Sequence, residues 1–294
     1  MIYISSACCR FKTIKKSITA IAEAGFGNIE LSGGTQYYAE YENDILRLQD
    51  KFNLNYQVHN YFPPPSKHFV LNLASLDENI QRQSVHLCKN AIKLSKKLGG
   101  KRYGIHAGFL IDFKPKEAGN KIDLREIYNS KKAITRFNEA WKEICGEADG
   151  EIDLYVENNV FSSTNFKTYS GNNPFLLSDY QGYIELKEQA DINLLLDLAH
   201  LKVSTKSLGL DFDDEVRKML PLTNYIHLSE NDGFHDQNKK LEHDSNILNC
   251  LHDFDFANGT LVIEVYEGLE QVKSTYRVLQ CFIHDIRKKS DSFI

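Results

Sequence analysis

The sequence predicts an α/β fold, a (β/α)₈ TIM barrel in which residues 1–294 form one domain. Three observations point there. The chain has 294 residues, near the ~250 of an eight-unit barrel. Apolar runs of strand length alternate with helical patterns almost to its end, the order expected of a parallel sheet covered by helices. Side chains able to bind metal close strand after strand, at the ends where barrels build their active sites.

Met1–Ser6 reads as the first strand. A helix follows, with Ile14, Ile18, Ile21 and Ala22 on one face and Gly25 as its stop signal. Asn28–Leu31 is a second short strand, ending in Ser32-Gly33-Gly34, and Asn55–His59 is a third. The clearest helix comes next: Ser75 and Glu78 form a capping-box pattern, and Ile80, Ser84, Leu87, Ala91, Leu94 and Leu98 recur at spacings of three and four. Gly99-Gly100 closes it. Lys101–His106, Ile152–Glu157, Ile192–Asp197, Asn224–Leu228 and Leu261–Glu264 supply the remaining strands, with helical stretches at 131–148, 180–189, 212–218 and 244–252. The last helix carries Leu269, Val272, Tyr276, Leu279 and Ile283 on one stripe. Two connections, 107–130 and 158–179, are too long for simple turns; both follow strand C-termini and are candidate substrate loops. Pro63-Pro64-Pro65 reads as a stiff rim wall.

Composition narrows the function class. Apolar residues make up 42% and charged residues 26%, as in an ordinary soluble protein with a sizeable core. No apolar run approaches the ~20 residues that span a bilayer, and the N-terminus shows no secretory pattern, so a cytoplasmic location is the expectation. Thirty-five basic against forty acidic residues leave a net charge of −5, which gives nucleic acid no global attraction. Six cysteines (Cys8, Cys9, Cys88, Cys145, Cys250, Cys281) lie far apart with no C-x-x-C pair. They are expected to be reduced core residues.

The informative feature is the repeated strand ending. Val58-His59, Gly104-Ile105-His106, Leu154-Tyr155-Val156-Glu157, Leu194-Leu195-Leu196-Asp197, Tyr225-Ile226-His227 and Leu261-Val262-Ile263-Glu264 each place an imidazole or carboxylate after buried apolar residues. Parallel strands bring these ends to one rim, although 30 to 51 residues separate successive members. A buried carboxylate or imidazole is costly to leave unpaired. A shared divalent ion removes that cost for the whole group, and this set of carboxylates and neutral imidazoles suits Zn²⁺, Mn²⁺, Mg²⁺ or Co²⁺.

At these residues the chain resembles the xylose-isomerase-like barrels, which include sugar and sugar-phosphate isomerases and epimerases as well as endonuclease IV. The resemblance rests on Glu157, on Leu195-Leu196-Asp197-Leu198-Ala199-His200, on Ile226-His227-Leu228-Ser229-Glu230-Asn231-Asp232-Gly233 and on Ile263-Glu264. It implies that Glu157, Asp197, His227 and Glu264 are the four ligands of one metal, and that His200 contacts substrate or, as in endonuclease IV, a further metal. In such enzymes a proton leaves the carbon next to a sugar carbonyl and an enediolate forms, and Glu157 and Glu264 are the candidates to move that proton. Glu230 is a candidate for hydrogen-bonding sugar hydroxyls or orienting His227.

The resemblance also carries an alternative. His59-Asn60-Tyr61-Phe62 and His106-Ala107-Gly108 are similar to regions of endonuclease IV, so His59 and His106, with Glu157 as a bridge, could hold a second ion. In sugar-acting relatives the same two histidines line the pocket. The nuclease pattern then wants Asp-x-His, where this chain has Asp236-Gln237-Asn238. That departure and the acidic charge favour a sugar or sugar phosphate over DNA as the partner. The family carries the further expectation of a homo-oligomer.

Overall fold

The computed structural model describes residues 1–291. Eight parallel strands close in chain order into a barrel: β1 (Ile2–Ser5), β2 (Asn28–Leu31), β3 (Asn55–His59), β4 (Arg102–His106), β5 (Asp153–Glu157), β6 (Asn193–Asp197), β7 (Tyr225–Leu228) and β8 (Thr260–Ile263). β8 pairs back onto β1, with Ile4 opposite Ile263. The expected strands are thus all present with ends shifted by a residue or so, and Glu264 lies one residue beyond its strand.

The helices are α1 (Ile14–Glu23), α2 (Tyr41–Phe52), α3 (Glu78–Lys97), α4 (Ser130–Ala148), α5 (Ser163–Thr168), α6 (Tyr180–Lys187), α7 (Leu198–Leu208), α8 (Phe212–Met219), α9 (Asn246–Asn249) and α10 (Leu269–Asp291). α1 buries Ile14, Ile18 and Ile21 and yields to Gly25, whose φ of +95° suits glycine. α2 was not expected as a helix, because Glu42, Asn43, Asp44, Arg47, Gln49 and Asp50 leave Ile45 and Leu48 as its only buried apolar residues.

Three expectations need correction. α3 is capped by Asp77, whose Oδ1 accepts from the Asn79 and Ile80 amides at 2.8 and 3.2 Å. Ser75 lies two residues before that cap; its hydroxyl accepts from the Asp77 amide at 3.0 Å and donates to Asp112 Oδ2 at 2.6 Å. The helix expected over 244–252 shrinks to the four residues of α9. Its N-cap Ser245 makes no side-chain capping bond, and its hydroxyl donates to Glu230 Oε2. All six cysteines are free, but Cys8, Cys9 and Cys88 alone are buried, while Cys145 and Cys281 are exposed.

Strand periodicity sets what enters the barrel. Successive side chains alternate faces, so Tyr155 and Glu157, Leu195 and Asp197, Tyr225 and His227, and Val262 and Glu264 stack in tiers. The lower tier is Tyr155, Leu195, Tyr225 and Val262, with Tyr3 against it. The Arg102 guanidinium lies 5.5 and 5.7 Å from the Tyr155 and Tyr225 ring centroids. Gly104 sits in the same interior, where a Cβ would come within 2.5 Å of Leu195 Cδ1. The polar tier therefore rests on a packed aromatic floor. Among the described residues no helix is long and apolar enough to cross a membrane.

Candidate metal centre

The interior register that stacks the apolar floor also delivers the polar rim. His59, Glu157 and Asp197 end β3, β5 and β6, His227 is the penultimate residue of β7, and Glu264 follows β8. His227 is the hub. Its Nδ1 lies 3.4 Å from Glu157 Oε1 and 3.6 Å from Glu264 Oε2, and its Nε2 lies 3.1 Å from Glu30 Oε1.

Three groups of possible ligand atoms gather within 4.8 Å: Glu157, Asp197 and His227; Glu30, His59, His227 and Glu264; and His106, Glu157 and His200. The four residues expected around one ion therefore meet through His227, though they do not form one compact group. The pairing proposed for a second ion is arranged differently. His59 Nε2 hydrogen-bonds Glu157 Oε2 at 2.7 Å, while His106 joins Glu157 with His200 in place of His59.

Secondary structure fixes each direction. Asp197 is the N-cap of α7: its Oδ1 accepts from the His200 amide at 2.7 Å, which leaves Oδ2 free. Asn158 pins that turn by accepting from the Asp197 amide at 2.7 Å and donating to its carbonyl at 2.9 Å. His200, on the first turn of α7, has its Nδ1 3.0 Å from the Asn158 carbonyl and its Nε2 3.5 Å from Asp236 Oδ2.

The electrostatics suit a cation. Burial opposes protonation of His227, but the Glu30, Glu264 and Glu157 carboxylates outweigh it and hold the imidazole well above its ordinary value. The same contest, with Glu157 and Glu30 at His59 and with Asp197 and Asp236 at His200, lifts both of those imidazoles. Burial pushes Asp197 up to about 7, with His200 only partly offsetting it. Burial would also raise Glu264, yet His227 and then His59 hold it down to about 2. His106 is enclosed by the cavity wall, and this desolvation lowers it to about 4.

The residues present fit a divalent ion. Glu157 Oε1, Asp197 Oδ2 and His227 Nδ1 are buried with no hydrogen-bond partner. Such atoms are rare unless something further binds them. Oxygen and imidazole donors without thiolate match the donor preferences of zinc, manganese, magnesium and cobalt.

The centre opens into a cavity of about 550 Å³ whose lining includes His59, His106, Glu157, His200 and Glu264, with Arg10, Asp236, Asn238 and Tyr266. Seven of the eight residues singled out in the sequence thus converge. Glu230 does not: it is absent from this lining, pairs with Lys202, accepts from Ser245, and its backbone bridges to Lys239. Asp232 is likewise turned to its own loop, accepting from the Phe234 and His235 amides. The residue that sequence reasoning missed is Glu30. Its signal was an acid between Ile29 and Leu31 in a four-residue strand, on the inward-facing register.

A family model described as xylose isomerase-like TIM barrel matches residues 18–280. The chain belongs to this family. Solved structures share the fold of the xylose isomerase-like barrel along the whole chain. A D-tagatose 3-epimerase-like protein is 17% identical with a TM-score of 0.74, the match covering 98% of this chain and 99% of that one. An L-ribulose 3-epimerase is 16% identical, with a TM-score of 0.66 and coverage of 99% and 97%. Endonuclease IV from Thermus thermophilus is 14% identical, with a TM-score of 0.61 and coverage of 97% and 99%. No curated protein matches the sequence.

Proposed function

We propose that this barrel is a divalent-metal-dependent isomerase or epimerase that moves a proton on the carbon next to the carbonyl of a sugar or sugar phosphate. One observation carries the reading: two buried carboxylates from β5 and from the end of β8, Glu157 and Glu264, reach the same His227 nitrogen at 3.4 and 3.6 Å inside an open cavity. Glu157, Asp197, His227 and Glu264 would hold the ion. When bound, it supplies positive charge against the negative charge that develops as the C–H proton leaves.

The chain's own residues do the rest. Glu264, held ionised by His227 and His59, takes the proton from one face of the carbon. Glu157 serves the other face, and His59 keeps a proton beside it through the 2.7 Å hydrogen bond. Delivery to the same carbon inverts it; delivery to the neighbouring carbon isomerises the sugar. His106 and His200, which line the cavity, bind sugar hydroxyls. The test is exchange of the sugar C–H in heavy water across ketoses and ketose phosphates, in wild type and in Glu264→Gln. Exchange is expected to disappear in the variant; retained exchange at normal metal content removes Glu264 from this role.

A second reading has one observation in its favour. His106, Glu157 and His200, with Asp236 at 3.5 Å from His200, offer ligands beyond those one ion requires. Several ions would suit an endonuclease IV-like phosphodiesterase acting on abasic DNA. Rapid metal-dependent nicking of abasic duplex DNA, without sugar exchange, would put this reading first.

A further inference from the structure

The two long loops build one wall. Phe109 and Phe175 form an antiparallel bridge, the Leu110 amide donates to the Pro174 carbonyl at 2.7 Å, and Asn159 Nδ2 donates to the Gly108 and Leu176 carbonyls, both at 2.8 Å. The wall has its own apolar cluster, separate from the barrel core, around Phe109, Ile111, Phe161, Tyr169 and Phe175. Phe113 packs edge-on against Phe109 with centroids 4.8 Å apart. These contacts hold the wall in one arrangement.

Within it lies a second cavity, of about 330 Å³, that shares Tyr61, His106, His200 and Asp236 with the metal cavity. Both spaces are lined by His106 and His200, the histidines assigned above to sugar hydroxyls, so a molecule held by them in the first borders the second. The chemistry of the second differs. Phe109, Phe113 and Phe175 present aromatic surface, while Lys121, Ser162 and Thr164 bring donors that no protein acceptor takes among the described residues. Aromatic faces suit the C–H face of a pyranose, and hydroxyl and ammonium groups suit its hydroxyls; a few placed polar groups in an apolar pocket is how small-molecule orientation is set.

We propose that the substrate is a keto-sugar carrying a second sugar ring in glycosidic linkage, with that second ring seated in the aromatic chamber. This rests on the isomerase or epimerase reading above. The proposal is tested by calorimetric titration of the chelated, metal-free protein with D-fructose and with three of its glucosides, turanose, maltulose and isomaltulose, which differ in linkage. The same sugars are followed for C–H exchange in heavy water with the manganese-loaded protein. The best-fitting disaccharide is expected to bind at least about tenfold more tightly than fructose, a factor that corresponds to ~1.4 kcal/mol. Phe113→Ala is expected to remove that advantage and leave fructose binding unchanged. Thr164→Trp fills the chamber without deleting a wall aromatic and is expected to do the same. Equal affinity for fructose and all three disaccharides, with fructose exchange intact, overturns the second-ring assignment and leaves the catalytic reading standing. Preferential disaccharide binding without any exchange supports the chamber and sinks the catalytic reading.

Discussion

Glu30 Oε1 lies 3.1 Å from His227 Nε2, both side chains fully buried in the barrel. The other Glu30 oxygen accepts from the Tyr225 hydroxyl and from Gln57 Nε2 at 2.7 Å, so the carboxylate is anchored on the side away from the cavity. His227 is held between this anchor and the carboxylates of Glu157 and Glu264. A ligating imidazole usually donates its other nitrogen to such a carboxylate, which fixes its tautomer and raises its basicity. Glu30 is on this account a positioning residue for His227.

Glu30→Gln keeps the side-chain shape and removes the charge. The expected result is a loss of roughly 10–100-fold in divalent-metal affinity, the usual cost of removing such a partner, with the folded circular-dichroism spectrum retained. Competitive titration with a fluorescent chelator measures it. A variant that folds and binds manganese or zinc as tightly as wild type would leave Glu30 with no role in orienting His227.

Gly104 tests the floor beneath the site. A Cβ there would lie 2.5 Å from Leu195 Cδ1 and 3.2 Å from His59 Cδ2. Leu195 is fully buried among Tyr155, Tyr225 and Val262 and has nowhere to move. Gly104→Ala is therefore expected to cost about 1–3 kcal/mol by overpacking, and to weaken metal binding by displacing His59. Urea unfolding with and without added metal separates the two effects. An alanine variant as stable as wild type would mean that the interior yields more readily than this packing implies.

How much of this was readable depends on where each residue sits. Glu157, Asp197 and His227 could be found because each lies at or next to the end of an apolar strand, and a parallel ring brings such ends together. Glu30 escaped because its strand is only four residues long, too short to reveal which face an acid occupies. Glu230 misled for the opposite reason: three residues beyond His227 the chain has left the barrel, and a backbone bridge to Lys239 turns it toward Lys202. α2 was hidden by its charge. The meeting of the two long loops has no periodic signal, since Phe109 and Phe175 pair across 66 residues of sequence.

Metal removal should be visible as stability. An ion that binds only the folded chain at 100 times its Kd contributes about 2.7 kcal/mol, which corresponds to a shift of roughly 4 °C in Tm for a chain of this size. Chelation should lower Tm by that order and re-addition of manganese or zinc should restore it. Asp197→Asn, which removes the charge behind the free Oδ2, should make Tm insensitive to metal. Equal metal-dependent shifts in wild type and variant would exclude Asp197 as a ligand.

The loop that walls the second chamber has its own electrostatic anchor, and pH exposes it. Glu117 accepts from the Lys114 and Asp123 amides at 2.8 and 3.0 Å, and Arg125 Nη2 lies 2.8 and 3.0 Å from its two oxygens. Burial opposes the charge, but these donors outweigh it and lower the carboxyl from 4.5 to about 2. The folded value is depressed, so the stabilisation is complete above the unfolded value near 4.5 and disappears as pH falls toward 2. Glu117→Gln turns an amide N–H toward donors and is expected to cost about 1–3 kcal/mol at pH 7. Other carboxylates titrate over the same range, so the quantity to follow is the wild-type minus variant difference in urea unfolding, in which groups distant from Glu117 cancel. That difference should be constant from pH 7 to 5 and shrink steadily below 4.5. A difference that stays flat to pH 2.5 would show that Glu117 is not held as a charge in the folded loop.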